Sequence, residues 1–284
     1  MRLMRVGVFG QEQPVVSDDG QIWYDASGYG DFDPDFFGSD GLARLRADLA
    51  ARRLAQIDIS GRRIGAPIAK PQAILCIGQN YAAHAAESGS PPPEHPIVFL
   101  KHPNTLRGPH DSVRIPRGAQ AVDWEVELAV VIGREASYLD SDAAALACVA
   151  GYALANDVSE RDYQRKISGG QWSKGKCCQD FFPLGPYLAV DEITDPQDLA
   201  LKCSVNGATR QDSTTADMVF SVAALIRDLS QVMVLSPGDV ISTGTPQGVA
   251  MSGRFPYLQA GDVMELSVTG LGEQRSELIA ADVR

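Results

Sequence analysis

Val122-Asp-Trp-Glu-Val-Glu-Leu-Ala-Val-Val-Ile-Gly133 packs three acids and five consecutive apolar residues into twelve positions. Side chains alternate across a β-strand, so Trp124, Val126 and Leu128 share one face and Asp123, Glu125 and Glu127 the other. Same-face neighbours lie roughly 7 Å apart. The run Leu128–Ile132 then reads as a strand entering the interior. Carboxylates aligned on such a strand repel one another and are costly to desolvate unless something positive compensates them. Either that face is wet, or a cation sits on it.

Further along the chain, the apolar Tyr152–Ala155 leads into a second acid-bearing stretch, Asn156-Asp-Val-Ser-Glu-Arg-Asp-Tyr-Gln164. Ligation by carboxylate oxygens alone suits a hard ion, Mg²⁺ or Mn²⁺, that keeps positions open for substrate. With four histidines and no H-E-x-x-H, a zincin site is excluded on pattern. Upstream, Gly78-Gln-Asn-Tyr-Ala-Ala-His-Ala-Ala-Glu87 sets His84 and Glu87 at i and i+3, on one face of a helical turn. A carboxylate there can hold one imidazole nitrogen and leave the other as a base; the bland alternative is an exposed Ala-rich helix. Lys176, in Lys174-Gly-Lys-Cys-Cys178, is by default a surface cation, although Gly175 permits close backbone approach to a ligand. Thr243-Gly-Thr-Pro-Gln-Gly248 either presents the Thr245 hydroxyl and backbone amides to an anion or turns a corner. Phosphate-loop and nucleophile-elbow patterns are absent. Cys177 and Cys178 invite a redox reading, yet adjacent cysteines more often pack.

Around these motifs, short apolar or β-branched runs bounded by Gly, Pro or Asn predict strands at Arg5–Phe9, Gln21–Tyr24, Ala73–Ile77, Pro96–Leu100, Glu125–Ile132, Phe182–Val190, Lys202–Val205, Val240–Ser242 and Val263–Val268. Helical spacing is confined to Leu42–Leu54, Ser141–Val149 and Ser221–Val232. That order is not a regular βαβ alternation and predicts a β-rich α+β class with long loops. Residues 1–70 read as a small N-terminal α/β domain, and 71–284 as the main domain, with Arg63–Pro71 as linker. The 284 residues carry 25 Lys+Arg against 36 Asp+Glu, a net charge of −11. This argues against nucleic-acid and anionic-membrane partners, which need a positive footprint. The sequence has no apolar run of membrane-spanning length and no secretory-signal pattern. Its five cysteines lack framework spacing and read as reduced thiols of a cytoplasmic protein.

Taken in order, Gly78-Gln-Asn-Tyr-Ala-Ala-His, Asp123-Trp-Glu-Val-Glu-Leu, Asn156-Asp-Val-Ser-Glu-Arg-Asp, Gly175-Lys followed by Phe182-Pro-Leu-Gly-Pro, Val205-Asn-Gly, and Pro237-Gly-Asp through Thr243-Gly-Thr-Pro-Gln-Gly-Val resemble the fumarylacetoacetate hydrolase family. Within it, Gln171-Trp-Ser-Lys-Gly-Lys-Cys-Cys178 looks most like the 2,4-diketo-3-deoxy-rhamnonate hydrolase branch of sugar-acid catabolism. The resemblance implies a mixed β-sandwich roll, a variable N-terminal domain and a homodimer. It also implies Mg²⁺ or Mn²⁺ held by Glu125, Glu127 and Asp157, with His84 and Glu87 activating water from a lid. Arg161, Gln164, Lys176 and Thr245 match substrate-contacting positions, and Lys176 is also expected to stabilise developing charge. The implied activity is C–C hydrolysis of a 2,4-diketo acid. β-Keto acid decarboxylation, hydration or tautomerisation of unsaturated keto acids, and a non-catalytic binding module are the alternatives. At Cys177 and Cys178 the chain departs from common members, which bears on substrate identity.

Overall fold

The computed structural model describes residues 1–281. Val126–Ile132 lies inside a nine-stranded sheet, antiparallel to Val149–Asn156 on one side and to Val240–Ser242 on the other. Its Val126, Leu128, Val130 and Ile132 pack into one core with Leu201, Val205, Met264 and Leu266 of a second, five-stranded sheet. Leu225, Ile226 and Leu229 of the helix Val222–Ser230 close the same core. Ala129 and Val131 point the opposite way, into a second core with Phe36, Phe37, Leu45 and Leu49 from two N-terminal helices. A strand covered on both faces reads as an unbroken apolar run rather than an alternation, which is what Leu128–Ile132 is.

Across the large sheet the order is Tyr24–Asp25, Gln13–Ser17, Arg2–Val6, Leu188–Ala189, Val149–Asn156, Val126–Ile132, Val240–Ser242, Ile74–Gly78 and Ile97–Lys101. Only the Val240–Ser242/Ile74–Gly78 pair within it is parallel. The first three strands of the chain therefore extend the sheet that carries the acidic motif. The five-stranded sheet runs Ala208–Thr214, Ala200–Val205, Val263–Val268, Glu273–Ile279 and Val113–Arg114. The class is the strand-rich, mixed α+β one that the motif order predicts. Helices are short, and among the described residues none is long and apolar enough to cross a membrane.

Several boundaries differ from the sequence expectation, for identifiable reasons. Phe182–Val190 is two short strands, Phe182–Pro183 and Leu188–Ala189, because Pro183 and Pro186 supply no ladder N–H. Gln13–Ser17, Val149–Asn156, Ala208–Thr214 and Glu273–Ile279 are strands the pattern did not single out. In Glu273–Ile279 the inward residues include Gln274 and Ser276, so no apolar alternation exists to be read. Gln274 Nε2 instead donates to the carbonyls of Leu154, Pro183 and Gly185, at 2.9, 3.2 and 3.1 Å, and ties the two sheets together.

Candidate metal and catalytic site

Strand register does the first part of the assembly. Asn156 pairs with Val126 across the antiparallel ladder, so the next residue, Asp157, falls opposite Glu125. The Asp157 amide donates to the Glu125 carbonyl at 3.0 Å, and the Glu125 amide donates to Asn156 Oδ1 at 3.1 Å. Glu125, Glu127 and Asp157 consequently each bring a carboxylate oxygen within 4.8 Å of the others, and all three residues are buried. Of the two readings left open by the sequence, the wet face is ruled out. Asp123, expected on the same face, is spent elsewhere: it accepts from Arg161 Nε at 2.8 Å and from the amides of Ala250 and Met251 at 2.8 and 2.9 Å.

Three cations enter the cluster. Lys176 Nζ bridges Glu125 Oε2 at 2.6 Å and Asp157 Oδ2 at 2.7 Å. Arg161 Nη2 lies 2.7 Å from Glu125 Oε1. Lys101, fully buried at the end of its strand, places Nζ 2.6 Å from Asp157 Oδ1 and donates to the Val158 carbonyl at 2.9 Å. Four buried carboxylates, Asp123 included, thus face three buried cations, and one negative charge is left over. It falls on Glu127, which accepts only neutral donors, Ser242 Oγ at 2.5 Å and the Gly244 amide at 3.0 Å.

The acids respond in opposite directions. Burial raises the Glu125 carboxyl, but the charges of Lys176 and Arg161 outweigh it and hold the group well below its ordinary value. For Glu127, burial and then the like charges of Asp157 and Glu125 push the carboxyl well above it. An all-oxygen donor set with one uncompensated carboxylate fits a hard divalent cation. Glu125, Glu127 and Asp157 are the residues that would hold it.

His84 sits on the helix Ala82–Glu87, buried, with Nδ1 3.7 Å from Glu87 Oε2. That separation is electrostatic contact, longer than a hydrogen bond. Glu87 is anchored from outside its own helix: Oε2 accepts from the Gly248 amide at 3.0 Å and Oε1 faces Arg254 Nη1 at 3.4 Å. Burial raises the Glu87 carboxyl, yet His84, that amide and Arg254 together keep it below its ordinary value. The pair is therefore not an incidental exposed one. Gln164 accepts from Arg161 Nη1 at 2.9 Å. The Thr245 hydroxyl is already engaged, donating to the Val126 carbonyl and accepting from Gln211 Nε2, each at 2.9 Å. His84, Glu125, Glu127, Arg161, Gln164, Lys176 and Thr245 all line one cavity of about 130 Å³.

Glycine matters here in a way the sequence did not reveal. A Cβ on Gly175 would come within 2.3 Å of the Glu160 carbonyl and 2.5 Å of Gln164. The close approach it allows is to protein backbone, not to a ligand, and it delivers Lys176 to the cluster. Lys101 was missed because the strand reading ended one residue short; its alternation with the inward Phe99 was the available signal. The Cys177 thiol is used structurally, accepting from the His102 amide at 3.2 Å and donating to the Leu100 carbonyl at 3.5 Å. Burial pushes the Cys178 thiol up to about 11, which makes it a poor nucleophile.

Comparison with known proteins bears on the family and the fold. Residues 73–279 match the fumarylacetoacetate (FAA) hydrolase C-terminal family. A Burkholderia multivorans protein, whose name goes no further than hydrolase, is 48% identical over 281 residues, spanning 96% of this chain and 97% of its own. Among solved structures, a 5-carboxymethyl-2-hydroxymuconate delta-isomerase from Mycobacterium smegmatis is 33% identical, with a TM-score of 0.79 and 100% of both chains covered. A fumarylacetoacetate hydrolase from Exiguobacterium antarcticum is 30% identical, with a TM-score of 0.83 over 99% of this chain and 100% of its own.

Proposed function

The chain belongs to the fumarylacetoacetate hydrolase family, and from that premise we propose that it is a Mg²⁺- or Mn²⁺-dependent hydrolase. The bond cleaved is the C3–C4 bond of a 2,4-diketo acid, and the products are pyruvate and a second carboxylic acid. The observation that carries this reading is the shared cavity: Glu125 and Glu127 of the three converging carboxylates, His84 and Lys176 all line it. Bound by Glu125, Glu127 and Asp157, the ion would supply Lewis acidity toward the 2-oxo and carboxylate oxygens of the substrate.

The chain's own residues do the rest. Glu87, pinned by the Gly248 amide, orients His84 through Nδ1 and leaves Nε2 for the cavity. His84 takes a proton from water, whose oxygen adds to the C4 carbonyl. When that adduct collapses, the C3–C4 electron pair passes to the pyruvate fragment as an enolate, whose C3 then takes up the proton held on His84 to give pyruvate. Lys176, held buried and charged by its carboxylate partners, offsets that charge where it develops. Arg161 and Gln164 position the substrate carboxylate. In this reading the protein is a homodimer, as the resemblance implies, and cytoplasmic, as its unpatterned cysteines suggest. The resemblance at Gln171–Cys178 nominates 2,4-diketo-3-deoxy-rhamnonate, which would yield pyruvate and lactate.

A pyruvate-release screen over 2,4-diketo acids, with and without chelator, tests the proposal. Turnover should require the divalent ion, and ¹⁸O from labelled water should enter the second acid. Label-free product together with CO₂ release from oxaloacetate would establish decarboxylation instead. An unsaturated keto acid returned with its carbon skeleton intact would place the chain with its isomerase-named relative.

A further inference from the structure

The edge strand Ala208–Thr214 of the five-stranded sheet buries one side chain, and that side chain is polar. Gln211 is 0% exposed, while the other residues of the strand keep part of their surface in solvent. The ladder explains its direction. Gln211 pairs with Cys203, yet the next pairing is Ser204 with Thr209, so Arg210 is an extra residue and the strand bulges there. A bulge bends an edge strand and re-aims its side chains. This one leaves Gln211 pointing at Val126 of the nine-stranded sheet.

Once there, the carboxamide spends both its donors and its acceptor. Oε1 accepts from the Val126 amide at 3.0 Å; Nε2 donates to Thr245 Oγ1 at 2.9 Å and to the Pro246 carbonyl at 2.8 Å. These partners belong to the two halves of the site. Val126 stands between Glu125 and Glu127, where the strand begins after the interruption at Trp124 and Glu125. Pro246 stands two residues before Gly248, whose amide pins Glu87. Gly248 is itself backed by the bulge: a Cβ on it would come within 2.1 Å of the Arg210 carbonyl. Its own carbonyl accepts from Trp124 Nε1 at 3.1 Å. Gln211 therefore ties the backbone of the carboxylate strand to the loop that holds Glu87, without lining the cavity.

We propose that Gln211 is a positioning residue for the water-activating pair. By joining the Val126 amide to the Thr245–Pro246 backbone, it sets where Glu87 holds His84 relative to the three carboxylates. It touches neither substrate nor ion and acts through Glu87 and His84. This rests on the hydrolase reading of the site and deepens it. A base displaced by about 1 Å can cost up to about 10²-fold in rate, so a residue outside the cavity can govern turnover by fixing that distance.

The test is a double-mutant cycle on the Mg²⁺-loaded full-length enzyme, with acetylpyruvate, the simplest 2,4-diketo acid, as substrate and pyruvate release as readout. Gln211→Met keeps the bulk of the side chain and removes its three hydrogen bonds. Every variant is assayed at a temperature where near-UV circular dichroism shows it folded. Gln211→Met should lose about 10-fold or more in kcat. Its KM, and its Mg²⁺ affinity by calorimetry, should stay within about twofold of wild type. Introduced into His84→Ala, the same substitution should cost nothing further, because the group it positions is gone. Equal losses in both backgrounds would mean a structural role alone. That result, an unchanged kcat, or a matching loss of Mg²⁺ affinity overturns the assignment and leaves the hydrolase reading intact. If His84→Ala turns over like wild type, or wild type releases no pyruvate, the hydrolase reading falls and the assignment with it.

Discussion

Two ion-pair networks in this molecule use the same residue types to different ends. The peripheral one joins Arg5 to Glu12 and Asp31 at 3.2 and 2.6 Å, and Arg63 to Glu12 and Asp111 at 2.8 and 2.5 Å. Every carboxylate in it has an arginine, and Asp31 and Arg63 keep 30% and 27% of their side-chain surface in solvent. It fastens the first strand and the Arg63 segment to the body. The central one is sealed, with side-chain exposures from 0 to 7%. Yet it leaves Glu127 without a cation. The peripheral network also holds one carboxylate more than it has arginines, but each of its acids touches a guanidinium and solvent screens the surplus at little cost. A network buried with an unmatched carboxylate is stable when a cation from outside completes it.

That contrast can be broken in graded steps. Glu125→Ala removes a central carboxylate and should abolish Mg²⁺ binding by calorimetry and turnover with it; near-native affinity would dissolve the distinction between the networks. His84→Ala lies beside the centre without belonging to the ligand set. Its kcat should fall by at least ~10², the scale of a lost general base, with ion affinity retained. Unchanged turnover would remove His84 from the chemistry. The smallest effect is expected at the periphery. Arg63→Met should cost about 1 kcal/mol in urea unfolding and leave kcat alone. A loss of turnover comparable to that of His84→Ala would show that the peripheral network is part of the site after all.

The centre of the sheet was legible because burial on both faces writes itself into sequence as Leu128–Ile132. The convergence of Asp157 with Glu125 was not legible from spacing: thirty-two positions separate them, and only the antiparallel register of Val149–Asn156 brings them together. The family resemblance supplied that pairing. Charge compensation was the least readable part. Lys101 lies in a short strand whose Val98 and Leu100 are exposed, and only its alternation with the inward Phe99 sets it apart from a surface lysine. Asp123 looked equivalent to Glu125 and Glu127 by alternation. The ladder is interrupted at Trp124 and Glu125, between Val122–Asp123 and Val126–Ile132, and Asp123 is turned to Arg161 and the Ala250–Met251 amides. Strands whose inner face is polar, such as Glu273–Ile279, leave no hydrophobic rhythm to detect.

The charge imbalance at Glu127 is most directly examined by anomalous diffraction from crystals soaked in Mn²⁺. A single strong peak coordinated by one oxygen each from Glu125, Glu127 and Asp157, at about 2.1–2.2 Å, is the expected result. An empty cluster in saturating Mn²⁺, with the Lys176 ammonium still bridging Glu125 and Asp157, would contradict it.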